Sequence, residues 1–436
     1  MPISKDSDFG TVFCYNKLVG KLKKFWHKLG PGLITGASDD EPSAIATYSI
    51  AGARFGYKML WVAVLALPLM IAVQEMSAKI GRVSNMGLAG NIKHHYPRWL
   101  LFFISTLIVV VNTINIGADM SGMSQATAMI LPLPEKLTAI VITLLILFIT
   151  IFLSYQKLLN IFKWLSLTLF AYIFATFTIQ QDWPRIIFHA IVPQIELSKD
   201  FFIVLTAFMG TTISPYLFFW QANQEVEEKI IEQCKPGRIC HLKPSTEEDI
   251  KTLKEDTRIG MSFSNIITFF IITLTASTLF KAGNFHIETL RDAAEALKPL
   301  AGEYAYLLFT LGIISSGFLA IPVLAGSAAY VIAEVFGWKS GLNQSFAKAK
   351  GFYGVIILST IVGLMIPLLG FHPIKALFYT SLLYGIISPI LIFMVIHMAN
   401  NPKIMKGNVN SFRLNLAGYI SFLIMTFFAI LVFFIL

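Results

Sequence analysis

Residues Gly36 to Ser49 read GASDDEPSAIATYS. Three consecutive carboxylates, Asp39, Asp40 and Glu41, stand directly before Pro42. On both sides the chain is apolar enough for a lipid bilayer. An ionised carboxylate at mid-membrane is costly unless paired or hydrated, so an intramembrane acid marks a functional site. Proline removes a backbone donor and drives the residue before it out of helical geometry. The stretch therefore predicts a transmembrane helix broken near its middle, with acids at the break.

The rest of the chain supports a membrane setting. Its 436 residues are 56% hydrophobic and only 14% charged, with a mean hydropathy of +0.69. Soluble proteins carry about 25% charged residues. The balance reads as an all-α polytopic membrane protein. Eleven stretches approach the roughly 20 apolar residues that a span requires. They are 31–55, 59–79, 99–130, 137–155, 160–179, 200–224, 258–280, 302–336, 352–370, 374–399 and 413–435. No signal-peptide pattern is visible in the basic arm 1–30. With that arm placed inside, 25 of the 34 Lys and Arg residues fall on the cytoplasmic side. This bias predicts a cytoplasmic N-terminus and an extracytoplasmic C-terminus in a bacterial inner membrane. The net charge of +9 is then loop anchoring, not a nucleic-acid surface. Cys14, Cys234 and Cys240 all fall in predicted cytoplasmic segments and are expected as free thiols. Cys234, Cys240 and His241, in CKPGRICH, match no standard zinc spacing, and a solvated cytoplasmic loop over 225–258 is expected instead.

A second break is predicted at MGTTISPY, Met209 to Tyr216, where Pro215 interrupts the sixth stretch. Counting five helices from each break divides the chain into halves, 31–179 and 200–399, with 413–435 left as an eleventh helix. An odd number of helices per half inverts the second half relative to the first. Interrupted helices at matching places in two halves point to a transporter binding site. The prolines free backbone carbonyls, and Thr211, Thr212 and Ser214 add hydroxyls. With Asp39, Asp40 and Glu41 these make a ligand set for a hard cation. On the third helix, Asn112, Asn115 and Asp119 share one face at i, i+3 and i+7. They are candidates for a proton or ion pathway, the alternative being interhelical hydrogen bonding. Glu75 reads as an interfacial residue and not as a ligand. No ATP-binding loop or catalytic motif appears, so the expectation is a secondary transporter without a cofactor, and not an enzyme.

The residues Gly30 to Trp61, GPGLITGASDDEPSAIATYSIAGARFGYKMLW, resemble the first helix of the Nramp (natural-resistance-associated macrophage protein) family. The likeness continues in QEMSAKIGRVS (Gln74 to Ser84) and DTRIGMSFSN (Asp256 to Asn265). It implies a LeuT-type fold, a 5+5 inverted repeat plus one extra helix, and proton-coupled import of divalent metal. Departures accompany it. Where the family has Asp-Pro-Gly-Asn, this chain has Glu41-Pro42-Ser43-Ala44, so the acid is retained and the amide is lost. The family's methionine before the second proline is Ser214, and its following histidine is Tyr216. Arginines expected before the ninth helix are replaced by NQSFAKAK, Asn343 to Lys350. A thioether is soft, so its loss should shift preference toward Mg²⁺, Ca²⁺ or Mn²⁺. Some Nramp-related proteins are thought to carry Mg²⁺ through a similarly altered site. The alternative reading is a LeuT-type carrier of a small organic or amino-acid-like substrate.

Overall fold

The structure, a computed structural model, describes residues 30–153, 155–234, 242–285, 287, 290, 294 and 298–435. Helices account for nearly all of them, and no strand occurs among them. Among the described residues, ten helical stretches are long and apolar enough to cross a bilayer. One of these, Pro42–Ser84, holds the second half of the expected first span and all of the second, divided at Gly56 with φ of +58°.

The first span is two helices, α1 (Pro31–Asp39) and α2 (Pro42–Phe55), and α3 (Leu60–Ser84) follows. A short helix α4 (Leu88–His95) leads into α5 (Arg98–Ile130), then α6 (Glu135–Phe152). The expected helix 160–179 is two pieces, α7 (Tyr155–Thr168) and α8 (Phe170–Phe177). A further short helix, α9 (Trp183–Ile191), lies in the connection between the halves. The second half opens with its own broken span, α10 (Lys199–Thr212) and α11 (Pro215–Gln233). It continues with α12 (Glu247–Thr275), α13 (Lys298–Phe336), α14 (Lys350–Leu369) and α15 (Pro373–Ala399). A single turn, α16 (Pro402–Met405), precedes α17 (Phe412–Ile435).

Two expectations change. The segment 225–258 is not a loop for most of its length, because α11 runs on to Gln233 and α12 begins at Glu247. The start of α12 is specified locally: Thr246 and Asp249 form a reciprocal capping box, which satisfies two orphan amide donors. Arg82 pairs with Glu232 at 2.5 Å and Asp249 at 3.6 Å, tying α3 to both extensions. Cys234 is disulfide-bonded, against the expected free thiol, while Cys14, Cys240 and His241 lie outside the described residues. Glu75 is 2% exposed and pairs with Lys254 at 3.1 Å and Arg258 at 3.3 Å. It anchors α3 to α12 and does not face the breaks.

The broken spans sit at the centre. α12 packs along α1, α2 and α3, and α15 packs against α10 and α2. Glycine pairs permit close approaches at these crossings. A Cβ at Gly36 would collide with the backbone of Gly260, and one at Gly210 with the backbone of Gly385. Small residues at such crossings let membrane helices approach closely, which substitutes for the missing hydrophobic drive in lipid.

Candidate functional site

At the first break the helix stops at Asp39. Asp40 (φ −82°, ψ 47°) and Glu41 (φ −67°, ψ 166°) are non-helical, and Pro42 starts α2. In an unbroken helix the carbonyl of Ser38 would accept from residue 42, but proline has no N–H. The Tyr216 hydroxyl takes that place, donating to the Ser38 carbonyl at 2.7 Å. At the second break Ile213 and Ser214 are non-helical and Pro215 starts α11. Here Pro215 orphans the carbonyl of Thr211, and the Ser214 hydroxyl answers it at 2.5 Å. Both freed carbonyls therefore already hold a protein donor.

α15 closes over both breaks from one face. Ser381 donates to the Ser43 carbonyl at 3.2 Å, and Ser388 to the Ile213 carbonyl at 3.2 Å. These serines stand seven residues apart, about two helical turns. The Tyr48 and Thr212 hydroxyls lie 3.0 Å apart, joining α2 to α10. At the other end of α1 the Asp256 carboxylate accepts from Gly30 N at 2.9 Å and Gly32 N at 2.7 Å, capping the helix from α12.

The three acids do not face one point. Glu41 turns toward α5, where its Oε1 accepts from Asn115 Nδ2 at 2.8 Å and from Ser43 Oγ at 2.6 Å. Asp119, on the same face of α5, accepts from Ser43 N at 3.1 Å. That amide belongs to the first turn of α2, whose positive end favours both carboxylates. Asp39 and Asp40 turn instead toward α12. The Ser264 hydroxyl stands 3.0 Å from Asp39 Oδ2 and 3.3 Å from Asp40 Oδ1.

Asp39, Asp40, Glu41 and Asp119 are all 0% exposed. Each keeps one carboxylate oxygen without a hydrogen bond: Asp39 Oδ1, Asp40 Oδ2, Glu41 Oε2 and Asp119 Oδ2. The ion pairs among the described residues all lie elsewhere. No three His, Cys, Asp or Glu side chains among the described residues converge on a common metal position. The structure thus holds two carboxylate pairs, Glu41 with Asp119 and Asp39 with Asp40.

The remaining expected site residues divide. Thr211 is buried, with its hydroxyl unpartnered. Thr212 bonds back to the Phe208 carbonyl at 2.8 Å as well as meeting Tyr48. The Ser214 hydroxyl closes the last turn of α10 at the Thr211 carbonyl and adjoins Asp39. Asn115 reaches the break, and its amide oxygen has no partner. Asn112 does not reach it: its amide joins the Leu324 carbonyl at 3.2 Å and the Tyr384 hydroxyl at 3.1 Å, a packing role. Sequence reasoning did not single out Ser264, Tyr48 or Ser388. The serine and threonine content near the breaks was the only signal for them.

A cavity of about 580 Å³ opens at the far end of α2, lined in part by Ile50, Arg54, Asp200, His372, Lys375 and Leu382. Thr47 and Ser381, 2.9 Å apart, lie one turn nearer the break and separate it from the carboxylates. The acids are sealed from solvent in this conformation.

Two proline-broken helices, paired around buried acids in a bundle of membrane-length helices, define an integral membrane transporter with the LeuT-type architecture. The chain belongs to the natural resistance-associated macrophage protein-like family, Nramp, whose match covers residues 32–434. It is 24% identical over 394 residues to the divalent metal cation transporter MntH of Caldanaerobacter subterraneus subsp. tengcongensis, a match covering 88% of this chain and 87% of that protein. Its fold matches the manganese transporter of Eremococcus coleocola with a TM-score of 0.75 at 16% identity, over 93% of this chain and 87% of that one. It also resembles Mhp1, a nucleobase-cation-symport-1 family transporter, with a TM-score of 0.56 at 12% identity, over 93% and 92% of the two chains.

Proposed function

We propose that this protein is a secondary transporter of a divalent metal cation, linked to protons, with hard oxygen ligands that favour Mg²⁺ or Mn²⁺ over soft metals. The observation that carries this reading is the set of four fully buried carboxylates with no lysine or arginine pairing to them among the described residues. Buried charge must be neutralised, and here a passing cation or protons must do it.

Glu41 is the first-choice ligand. Its free Oε2, the free Oδ2 of Asp119 and the free amide oxygen of Asn115 are hard donors on adjoining elements. Ala44 lacks the amide that the family carries on the first helix, and Asn115 offers one from α5. Ser214 supplies oxygen where the family has sulfur. The relatives' names, a divalent metal cation transporter and a manganese transporter, support the substrate class. A site this acidic opposes an anionic organic substrate.

Uptake into proteoliposomes tests the reading. Mg²⁺ or Mn²⁺ should enter faster than Cd²⁺, and faster still with an inward proton gradient. Asp119→Asn should remove the response to that gradient. Ready Cd²⁺ uptake with Mg²⁺ ignored would sink the hard-cation preference. Uptake of an amino acid with no metal moved would sink the reading itself.

A further inference from the structure

We infer that Asp39 and Asp40, with the hydroxyls of Ser264 and Thr268 on α12, form a second divalent-cation site, separate from the one at Glu41. The inference rests on the reading of the chain as a metal carrier.

The two carboxylate pairs differ in what surrounds them. Glu41 and Asp119 sit at the N-terminal end of α2, where the helix dipole and the Ser43 amide favour negative charge. Asp39 is the last residue of α1 and Asp40 its C-cap. A helix C-terminus carries partial negative charge, so two carboxylates there are opposed by the backbone as well as by each other. A single hydroxyl, that of Ser264, stands near both, and a hydroxyl has one proton to donate. Asp39 Oδ1 and Asp40 Oδ2 accept no hydrogen bond of ordinary geometry, although the Ser214 hydroxyl adjoins Asp39 and the Thr268 hydroxyl adjoins Asp40. This pair needs a cation more than the Glu41 pair does.

Thr268 points to the same place independently. Buried helix threonines in this chain typically bond back to a carbonyl one turn earlier, as Thr273 does to Phe269 and Thr278 to Leu274. Among the described buried threonines, only Thr211 and Thr268 have hydroxyls that make no hydrogen bond of ordinary geometry. Thr268 is fully buried and adjoins both Asp40 and Tyr48. It lies one turn beyond Ser264 on the same face of α12. The Ser264 and Thr268 hydroxyls, offered from α12, and the two carboxylates, offered from α1, are four hard oxygens with a formal charge of two minus. A divalent cation balances that charge where a monovalent one would not. One divalent ion at Glu41 and Asp119 would leave this second pair uncompensated.

The test counts bound ions. Equilibrium dialysis of the detergent-solubilised full chain against Mg²⁺, and separately Mn²⁺, should give two equivalents at saturation. The Asp39→Asn/Asp40→Asn variant should keep one, and Glu41→Gln should keep one. Thr268→Val preserves shape and all four acids, and so covers the case in which the double variant fails to fold. It should weaken one of the two binding steps by about tenfold or more, the scale on which lost metal-site partners act. One equivalent in the wild type, lost in Glu41→Gln and kept in the double variant, would overturn the second site and leave the transport reading standing. One equivalent lost in the double variant would place a single site at Asp39 and Asp40 and overturn the claim of two. No equivalent in the wild type would overturn both. Two unaltered steps in Thr268→Val would remove Thr268 from the ligand set and, with two equivalents kept in the double variant, overturn the site.

Discussion

The two helix breaks use one backbone device and load it differently. In each, a proline at the start of the following helix deprives the carbonyl four residues back of its amide. In each, a hydroxyl makes up the loss. At the first break the hydroxyl comes from the other half of the molecule, Tyr216 reaching Ser38. At the second it is local, Ser214 reaching Thr211. The first break carries three acids, whereas 209–216 carries none. At the breaks the charge thus resides on the first, and the second contributes neutral hydrogen bonds to it. The backbone device occurs twice, but the carboxylates accompany it only once.

The comparison is broken most severely at Glu41. Replacing it with Gln removes the proposed anionic ligand while keeping its size, and metal uptake should fall by more than about 100-fold, beyond what outer partners of a metal site typically cost. If uptake in proteoliposomes survives Glu41→Gln, the charged break is not the site. Next comes Asn115→Ala, which frees the Glu41 carboxylate from its α5 partner. A loss of about 10–100-fold in metal affinity is expected, read by calorimetry.

Tyr216→Phe strikes the contact between the breaks and leaves the Ser38 carbonyl buried and unpaired. About 1–3 kcal/mol of stability should be lost, seen as a lower unfolding temperature in detergent. Ser214→Ala removes the matching contact at the second break, but that contact is made within its own turn. A smaller loss, about 0.5–1.5 kcal/mol, is expected, and metal uptake should change less than for Glu41→Gln. Equal effects of the two substitutions on stability would mean that the breaks are not held differently.

Much of this was legible from residue order. Pro42 and Pro215 announce the breaks, because the missing N–H acts on the chain's own neighbouring turn. The helical spacing of Asn115 and Asp119 put them on one face, and that face does meet Glu41. The same spacing also placed Asn112 there, yet Asn112 is taken up by Leu324 and Tyr384. Periodicity names a face of a helix and not its neighbour. The extent of α11 and α12 was missed because their charged ends look like loop to a hydropathy reading, although Thr246 and Asp249 carry a cap signature.

The sequence by itself determined that this is a polytopic membrane protein with two proline-broken helices and acids at the first. Those features follow from local chemistry: hydrocarbon selects apolar helices, and proline cannot donate. Only the tertiary structure decided where the acids point. Asp39 and Asp40 meet Ser264 across more than 220 residues, and Ser38 meets Tyr216 across 178. In lipid a buried polar group must find its partner wherever packing brings one, and packing is settled by close approaches such as Gly36 on Gly260, which no single stretch of sequence contains.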